Sequence, residues 1–295
     1  MNVIVDKIDI HVHTNLWKGI ARFGGETYAS PDEIKEKYDA WGIEKGIILP
    51  EINPECANVI QGNEEIHHIV QNDDRFDWFC NINPHMGGNN SSTDFSYFLN
   101  HYKKLGAKGV GEITFNMYVD DPLVDNLFYH CAECEMPVIF HIGPTIGNCY
   151  GMVDEIGLPR LEKMLKKYPT LKMIGHSQPW WAEMSTDVTA ENRNTYPKGK
   201  VTPGRLWFLL REYENMYADM SAGSGFNALS RDVESAYKFI DEFQDKLMFG
   251  TDICSPSNYM PLSKWLDDEL GNGNISQTAY NKIARENAIA LLKLT

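Results

Sequence analysis

Two histidines near the start of the chain have the spacing of a metal-binding pair. They lie in the segment Asp9-Ile10-His11-Val12-His13, which closes an apolar run. Side chains alternate along a β-strand, so the imidazoles of His11 and His13 point to the same side. Two neutral imidazoles on one side can hold a divalent ion together. The pair alone does not establish a site, because paired histidines also lie on ordinary protein surfaces.

Other apolar runs carry side chains of the same chemical kind at or near their ends. His141 and His176 each directly follow a run of apolar residues, and Asp252 ends a third run. A fourth run, 109–113, contains Glu112. A buried imidazole or carboxylate is costly unless a partner or a metal compensates it. Several such side chains at strand ends predict a metal site, with Glu112 either as a ligand or as a hydrogen-bonded acid beside it.

These side chains need a scaffold that brings the ends of distant strands together. Short apolar runs alternate with amphipathic stretches along the whole chain, which is typical of repeated βα units. Most runs are nearly continuous in Val, Ile, Met and Phe, as expected for strands buried on both faces of a parallel sheet. The runs are 3–12, 45–49, 77–83, 109–113, 137–142, 172–175, 216–220 and 246–250. Eight strands in a chain of 295 residues favour one α/β domain, 1–295, folded as a (β/α)8 barrel with its active site at the carboxyl ends of the strands.

Local signals indicate where helices begin. Ser30-Pro31-Asp32-Glu33 contains a cap, a first-turn proline and a capping-box acid in order. Asp121-Pro122 is a similar start, and Ser276 opens the last helix. Two connections, 14–29 and 178–204, are long enough to be lids or binding loops.

The two long connections contain the candidate substrate contacts. Arg22 could pair with a substrate carboxylate through its fork of donors. Trp17, Trp180 and Trp181 could form an apolar wall of the substrate pocket. The alternative for each is surface packing or a salt bridge.

Composition and charge exclude several classes of protein. The chain has 27 Lys+Arg and 41 Asp+Glu, a net charge of −14, which argues against a nucleic-acid partner. At 43% hydrophobic and 23% charged residues it is an ordinary globular protein rather than a disordered one. No apolar run approaches the roughly 20 residues of a membrane-spanning helix, and the first nine residues lack the features of a signal peptide. We therefore expect a cytoplasmic protein with a small-molecule substrate and no membrane partner, and both a monomer and a homodimer are compatible with the sequence.

The ligand-type residues, taken in order, resemble those of the metal-dependent amidohydrolase superfamily. The chain is most similar to its amidohydrolase-related branch of TIM-barrel hydrolases, which also contains nonoxidative decarboxylases and hydratases. The resemblance covers nearly the whole chain and is more specific for fold and metal than for substrate. The segments that carry it include His11-x-His13, Asn63 through Arg75-Phe76, Asn83-Pro84, Gly109-Val110-Gly111-Glu112-Ile113, His141, His176, Asp252 and Glu286-Asn287-Ala288.

The ligand set suits zinc and is also tolerated by manganese, iron or nickel. The resemblance implies one or two ions, since both arrangements occur in the family. A single ion would have four ligands, namely His11, His13, His141 and Asp252, with His176 orienting water or substrate. With two ions, Glu112 would bridge them, and His141 and His176 would hold the second.

The resemblance implies hydrolysis of an amide, ester or lactone bond in a small carbonyl or carboxylate substrate by a metal-activated water. Asp252 would accept the proton of the water and return it to the leaving group, and His176 or a loop donor would stabilise the oxyanion. One alternative is a decarboxylase or hydratase. Decarboxylases of this branch commonly have glycines just after the histidine of the sixth strand, whereas this chain has Ser177-Gln178-Pro179-Trp180 after His176. A second alternative, a catalytically inactive metal-binding barrel, is disfavoured because every ligand position is filled.

Overall fold

Parallel strands alternate with helices in the computed structural model, which describes residues 2–294. The mixed α/β class is confirmed, and the predicted domain 1–295 extends one residue beyond each end of the described part. Each of the eight predicted runs overlaps one strand, with bounds that differ by up to five residues, and the two-residue strand β6 was not predicted. The strands are β1 (Lys7–Val12), β2 (Ile43–Ile48), β3 (Phe76–Trp78), β4 (Val110–Ile113), β5 (Val138–Gly143), β6 (Met152–Val153), β7 (Met173–His176), β8 (Met216–Asp219) and β9 (Leu247–Met248).

Helices follow most of the strands, as repeated βα units require. A π-helical segment, Lys282–Glu286, connects the last two α-helices. The α-helices are α1 (Pro31–Trp41), α2 (Asn63–Asn72), α3 (Ser96–Lys104), α4 (Pro122–Glu133), α5 (Pro159–Lys167), α6 (Gln178–Ala182), α7 (Arg205–Glu212), α8 (Ala222–Ser230), α9 (Val233–Phe243), α10 (Leu262–Gly271), α11 (Gln277–Asn281) and α12 (Asn287–Leu292).

The strands form two parallel sheets whose edges are joined by backbone hydrogen bonds. One sheet has the order β1-β2-β3, and the other has the order β4-β5-β7-β8-β9, with β6 paired to β5. The N–H of Cys80, just after β3, donates to the carbonyl of Gly109 at 3.0 Å. On the other side, the N–H of Ile10 donates to the carbonyl of Phe249 at 3.1 Å. Hydrogen bonds therefore link the two sheets at both of their edges.

The predicted helix starts are confirmed. The Ser30 side chain and the Glu33 side chain form a reciprocal capping box at α1. Asp121 caps α4 by accepting from the N–H of Leu123, and Ser276 caps α11 by accepting from the N–H of Ala279.

The two long connections differ from each other. Segment 14–29 has no helix or strand, as predicted. Segment 178–204 was predicted as a loop, but it begins with the short helix α6. The Ser177 hydroxyl caps this helix by accepting from the N–H of Trp180, and burial of the indoles of Trp180 and Trp181 stabilises it against the core.

An inner apolar layer supports the strand ends that carry the ligand-type residues. Ile139 and Ile174 belong to a buried cluster with Phe79 and Met248. Each isoleucine precedes a histidine by two residues, so it shares a strand face with His141 or His176. This packing fixes the strands directly beneath the two imidazoles.

Among residues 2–294, no helix is both long enough and apolar enough to cross a membrane. All six cysteines are free thiols.

We expect Gly175→Ala to destabilise the fold, because Gly175 allows Trp180 to pack against β7. A Cβ atom at position 175 would overlap the buried indole of Trp180. Overpacking of this kind costs about 1–3 kcal/mol in the free energy of unfolding. Urea denaturation would measure the loss.

The matched control is Gly271→Ala at the end of α10, where a Cβ would meet nothing within 4 Å. This variant is expected to stay within about 0.5 kcal/mol of the parent. Equal denaturation midpoints for the two variants would contradict the close packing of Trp180 on Gly175.

Candidate functional site

The six predicted ligand-type side chains lie together at the carboxyl ends of the strands. Five of them are buried, and the side chain of the sixth, Asp252, is 28% exposed. They come from five parts of the sheet: His11 and His13 from β1 and just after it, Glu112 from β4, His141 from β5, His176 from β7 and Asp252 after β9.

His11, His13 and two carboxylates form the first group of potential ligands. The Nε2 atoms of His11 and His13 are 3.0 Å apart. Asp252 Oδ1 is 3.5 and 3.6 Å from these two nitrogens, and Glu112 Oε2 is 3.5 Å from each of them. A tetrahedral ion with bonds of about 2.1 Å places its ligand atoms about 3.4 Å apart. The four nitrogen–oxygen distances therefore fit a small divalent ion, and the nitrogen–nitrogen distance is about 0.4 Å shorter than this spacing.

The hydrogen bonds of His11 and His13 orient their rings so that each Nε2 can bind a metal ion. His13 Nδ1 is 2.9 Å from the carbonyl of Leu49, and His11 Nδ1 is 2.7 Å from Asp219 Oδ2. A carbonyl oxygen and a carboxylate only accept, so each Nδ1 is the donor and, in the neutral ring, Nε2 carries the lone pair. Two such lone pairs at 3.0 Å repel each other unless a proton or a cation lies between them.

Glu112, His141 and His176 form the second group, and their ligand atoms lie within 4.8 Å of one another. Glu112 Oε1 is 3.0 Å from His141 Nδ1 and 3.8 Å from His176 Nε2. Asp252 Oδ2 is 3.7 Å from His176 Nε2. Glu112 and Asp252 thus each direct one carboxylate oxygen to the first group and the other oxygen to the second group. In this geometry His141 lies with Glu112 and His176.

The charges of the site favour a cation. Burial alone would lower the pKa of His11, but three surrounding carboxylates outweigh burial and hold this pKa well above its usual value. Burial would raise the pKa of Glu112, but His11 and hydrogen bonds from the imidazoles hold it well below its usual value. Burial lowers the pKa of His141 and favours its neutral, ligating form.

The backbone of Asp252 turns its carboxylate towards the two groups. Its φ angle is 57°, in the left-handed region, which Asp tolerates better than most residues. The N–H of Asp252 donates to the carbonyl of His11 at 2.7 Å. This bond fixes the end of β9 against the strand that carries the two histidines.

Asp219, at the end of β8, is a site residue that the sequence analysis missed. Its carboxylate is fully buried and contacts both His11 and His176 through their Nδ1 atoms. Burial would raise its pKa, but these two imidazoles hold it below its usual value. An acid that closes the run Met216-Tyr217-Ala218-Asp219 was the signal that could have revealed it.

Glu51, three residues after β2, is a second missed acid. It is buried, and its Oε1 is 3.9 Å from His13 Nε2. The Tyr28 hydroxyl donates to Glu51, and the Cys56 thiol donates to it at 3.4 Å. The only signal for Glu51 in the sequence was its place, two residues beyond the end of the second predicted run at Leu49.

A cavity of about 810 Å³ opens beside the cluster. His141 belongs both to its wall and to the second group. The ring of Tyr150 packs on His141 with centroids 4.5 Å apart, and it was not singled out from the sequence. Polar side chains make up much of the wall, among them Arg22, Glu55, Asn58, Asn116, Gln178 and Ser255.

Of the predicted substrate contacts, the cavity wall includes only Arg22. Trp180 and Trp181 are 0% and 2% exposed and lie in the core, with Trp181 Nε1 donating to the carbonyl of Asp219 at 3.0 Å. Trp17 is 68% exposed and outside the cavity lining. The expected apolar wall of indoles is therefore corrected, because α6 turns its two indoles inward and the Trp17 ring faces solvent.

Most of the chain matches one known protein family. The family profile described as amidohydrolase matches residues 79–294. Glu112, His141, His176 and Asp252 fall within the match, whereas His11 and His13 precede it. No curated protein matches the chain.

Solved structures that cover nearly the whole chain share its fold. An amidohydrolase from Burkholderia multivorans with bound zinc is 13% identical, with a TM-score of 0.64 and coverage of 98% of this chain and 99% of that one. A probable 2-pyrone-4,6-dicarboxylic acid hydrolase from Acinetobacter baumannii with bound citric acid is 15% identical, with a TM-score of 0.60 and coverage of 98% and 100%. A dihydroxybenzoic acid decarboxylase from Polaromonas with manganese and 2-nitroresorcinol is 16% identical, with a TM-score of 0.58 and coverage of 99% and 98%.

Proposed function

This enzyme belongs to the amidohydrolase family, and we propose that it is a metal-dependent hydrolase that cleaves an amide, ester or lactone bond of a small carbonyl or carboxylate substrate. One observation carries the proposal. Two imidazole nitrogens and two carboxylate oxygens converge, with nitrogen–nitrogen and nitrogen–oxygen distances of 3.0–3.6 Å, beside a cavity large enough for a small substrate.

We propose that the strands close into a (β/α)8 barrel within one domain. The backbone hydrogen bonds from Cys80 to Gly109 and from Ile10 to Phe249 support closure on both sides. In such a barrel the carboxyl ends of all strands surround one axis. Closure explains how residues as distant in sequence as His11 and Asp252 reach one site.

The proposed cofactor is zinc, bound as one or two ions, and manganese, iron or nickel would fit the same donor types. His11, His13, Glu112 and Asp252 would hold one ion, and Glu112, His141 and His176 would hold a second. The charge of the cluster supports two ions. Four carboxylates, Glu51, Glu112, Asp219 and Asp252, bring four formal negative charges, which two divalent ions would balance.

The ion would lower the pKa of a bound water to about 7 and polarise the scissile carbonyl. Asp252, whose side chain is 28% exposed, would accept a proton from the attacking water and return it to the leaving group. With two ions, His176 would hold the second through Nε2, since its Nδ1 donates to Asp219 at 2.9 Å, and a donor from the loops would stabilise the developing oxyanion. With one ion, His176 would donate to the oxyanion through Nε2 as the doubly protonated ring.

Arg22 would bind a carboxylate of the substrate. Its guanidinium lines the cavity, contacts the Cys254 thiol and lies 3.4 Å from the Ser255 hydroxyl. Within residues 2–294, its side-chain hydrogen bonds go to these two residues and it forms no ion pair. A guanidinium with free donors suits bidentate pairing with a carboxylate.

Decarboxylation is the second candidate function. The Polaromonas relative in fold is a decarboxylase with manganese, and the proposed ligands and Arg22 would serve a carboxylic acid substrate equally well. A panel of esters, lactones, amides and carboxylic acids, assayed with zinc- and manganese-loaded protein, separates the two. Acid release without CO2 supports the hydrolase, and CO2 release overturns it in favour of the decarboxylase. Metal binding without turnover across the panel would instead favour an inactive metal-binding barrel.

Glu112→Ala is expected to lower the metal content per chain from near two ions towards one. Glu112 turns one oxygen to each group, so its loss removes a ligand from both. Elemental analysis of protein purified without added metal measures the change.

The exposed acid Glu242 on α9, which pairs with Arg211, provides the matched control Glu242→Ala, whose metal content should equal that of the parent. One ion in both parent and Glu112→Ala would assign Glu112 to a hydrogen-bonding role and would favour a mononuclear site. No ion in the parent would contradict the metal-dependent function.

A further inference from the structure

The buried carboxylate of Asp219 contacts one histidine from each of the two ligand groups. Asp219 Oδ2 is 2.7 Å from His11 Nδ1 and 2.9 Å from His176 Nδ1. His11 belongs to the first group and His176 to the second. The side chains of all three residues are at most 3% exposed, so water does not compete for these contacts.

The remaining contacts of Asp219 hold its carboxylate in place. Oδ1 accepts from the N–H of Ser221 at 2.9 Å, and Oδ2 accepts from the Ser221 hydroxyl at 2.6 Å. The adjacent Gly250 makes room for this carboxylate, because a Cβ there would lie 2.5 Å from Asp219 Oδ1. The carboxylate is thus fixed before any ligand binds.

The acceptor character of Asp219 determines which nitrogen each ring presents. With Nδ1 donating to Asp219, the Nε2 atoms of His11 and His176 point at the cluster and carry the lone pairs in the neutral rings. A neutral amide in place of the carboxylate would offer one acceptor oxygen and an NH2 group that only donates. It could not accept from two imidazoles and from Ser221 at once.

We propose that Asp219 is a positioning residue that sets the tautomer and ring orientation of both His11 and His176, and so couples the two ligand groups. The proposal rests on the metal-dependent function proposed above. Asp219 acts through the histidines and is not one of the residues that line the cavity.

The test compares Asp219→Asn with the parent chain in two measurements. The first is affinity for zinc and for manganese by competition with a chelator, in which loss of such a histidine partner is expected to weaken binding about 10–100-fold. The second is ¹⁵N NMR of histidine-labelled, metal-free protein at a pH where the rings are neutral, with His11 and His176 assigned by single replacement. The parent should show protonated Nδ1 in both rings, and Asp219→Asn should change the tautomer of at least one.

One control separates positioning from a structural role. Asp154→Asn alters another buried carboxylate, one that accepts from the N–H groups of Arg160 and Leu161 and lies outside both groups. It should keep the metal affinity of the parent within about twofold, even where the free energy of unfolding falls by about 1 kcal/mol.

The outcomes distinguish this proposal from the proposed function. Equal metal affinity and unchanged tautomers in Asp219→Asn overturn the positioning role. An equal loss of affinity in Asp154→Asn also overturns it, because the effect would then be one of general stability. If the parent binds no metal, the proposed function fails, whereas the tautomers of the metal-free protein still decide whether Asp219 positions the two rings.

Discussion

His13→Ala is expected to weaken zinc binding by more than the roughly 100-fold that loss of an outer hydrogen-bond partner costs, and to abolish turnover. The variant removes one of two imidazole nitrogens that face each other at 3.0 Å. The carboxylates that remain, Glu51, Glu112 and Asp252, lie 3.5–3.9 Å from the lost nitrogen, and two of them are already proposed as ligands of the same ion. Chelator competition and turnover on the first substrate found would measure the two effects.

His68→Ala is the matched control. His68 lies on α2 with an exposed side chain. Its backbone carbonyl accepts from the Asn72 side chain, and alanine at position 68 would keep this carbonyl. Its replacement should leave zinc affinity and turnover at the parent level. Zinc affinity in His13→Ala equal to that in His68→Ala would rule out the first ligand group as the metal site.

The ligand-type residues could be predicted from two sequence patterns taken together. Apolar runs locate buried parallel strands, and a polar residue that ends such a run lies at the carboxyl edge where the strands meet. His141 and His176 follow this rule directly, each two residues after an inner-layer isoleucine. Strand alternation likewise explains why His11 and His13 share a side.

The substrate contacts could not be predicted in the same way. Adjacent indoles in a polar connection are compatible with a pocket wall or with core packing, and the local sequence does not say which surface they meet. In the structure, capping of α6 by Ser177 and the space left by Gly175 turn Trp180 into the core. These interactions join residues of β7 and α6 and become visible only when the strand and helix are packed.

Asp219 and Glu51 were missed for a different reason. Each is a single acid near the end of an apolar run, and an isolated acid at such a place is usually solvated. Its meaning depends on partners from other parts of the chain: His11 and His176 for Asp219, and Tyr28 for Glu51. Nothing in the chain order connects β8 with β1, so this pairing follows from the sheet topology rather than from the local pattern.

Asp252→Asn is expected to lower kcat by about 10²–10⁴-fold, the contribution typical of a positioned general acid–base group. The amide has nearly the same size, and its oxygen can still face His11 and His13 as Asp252 Oδ1 does, at 3.5 and 3.6 Å. It cannot accept and return a proton at neutral pH. Metal content should therefore fall much less than in His13→Ala, and the loss should appear in kcat more than in KM.

The measurement is kcat at saturating substrate for protein whose metal content has been determined on the same sample. Asp245→Asn is the control, because Asp245 is an exposed acid whose only ion pair is with Lys282 among the described residues. A kcat for Asp252→Asn close to that of Asp245→Asn, at equal metal content, would remove Asp252 from proton transfer. Because Glu51 lies 3.9 Å from His13 Nε2 with Tyr28 and Cys56 donating to it, it would then be the acid to test in its place.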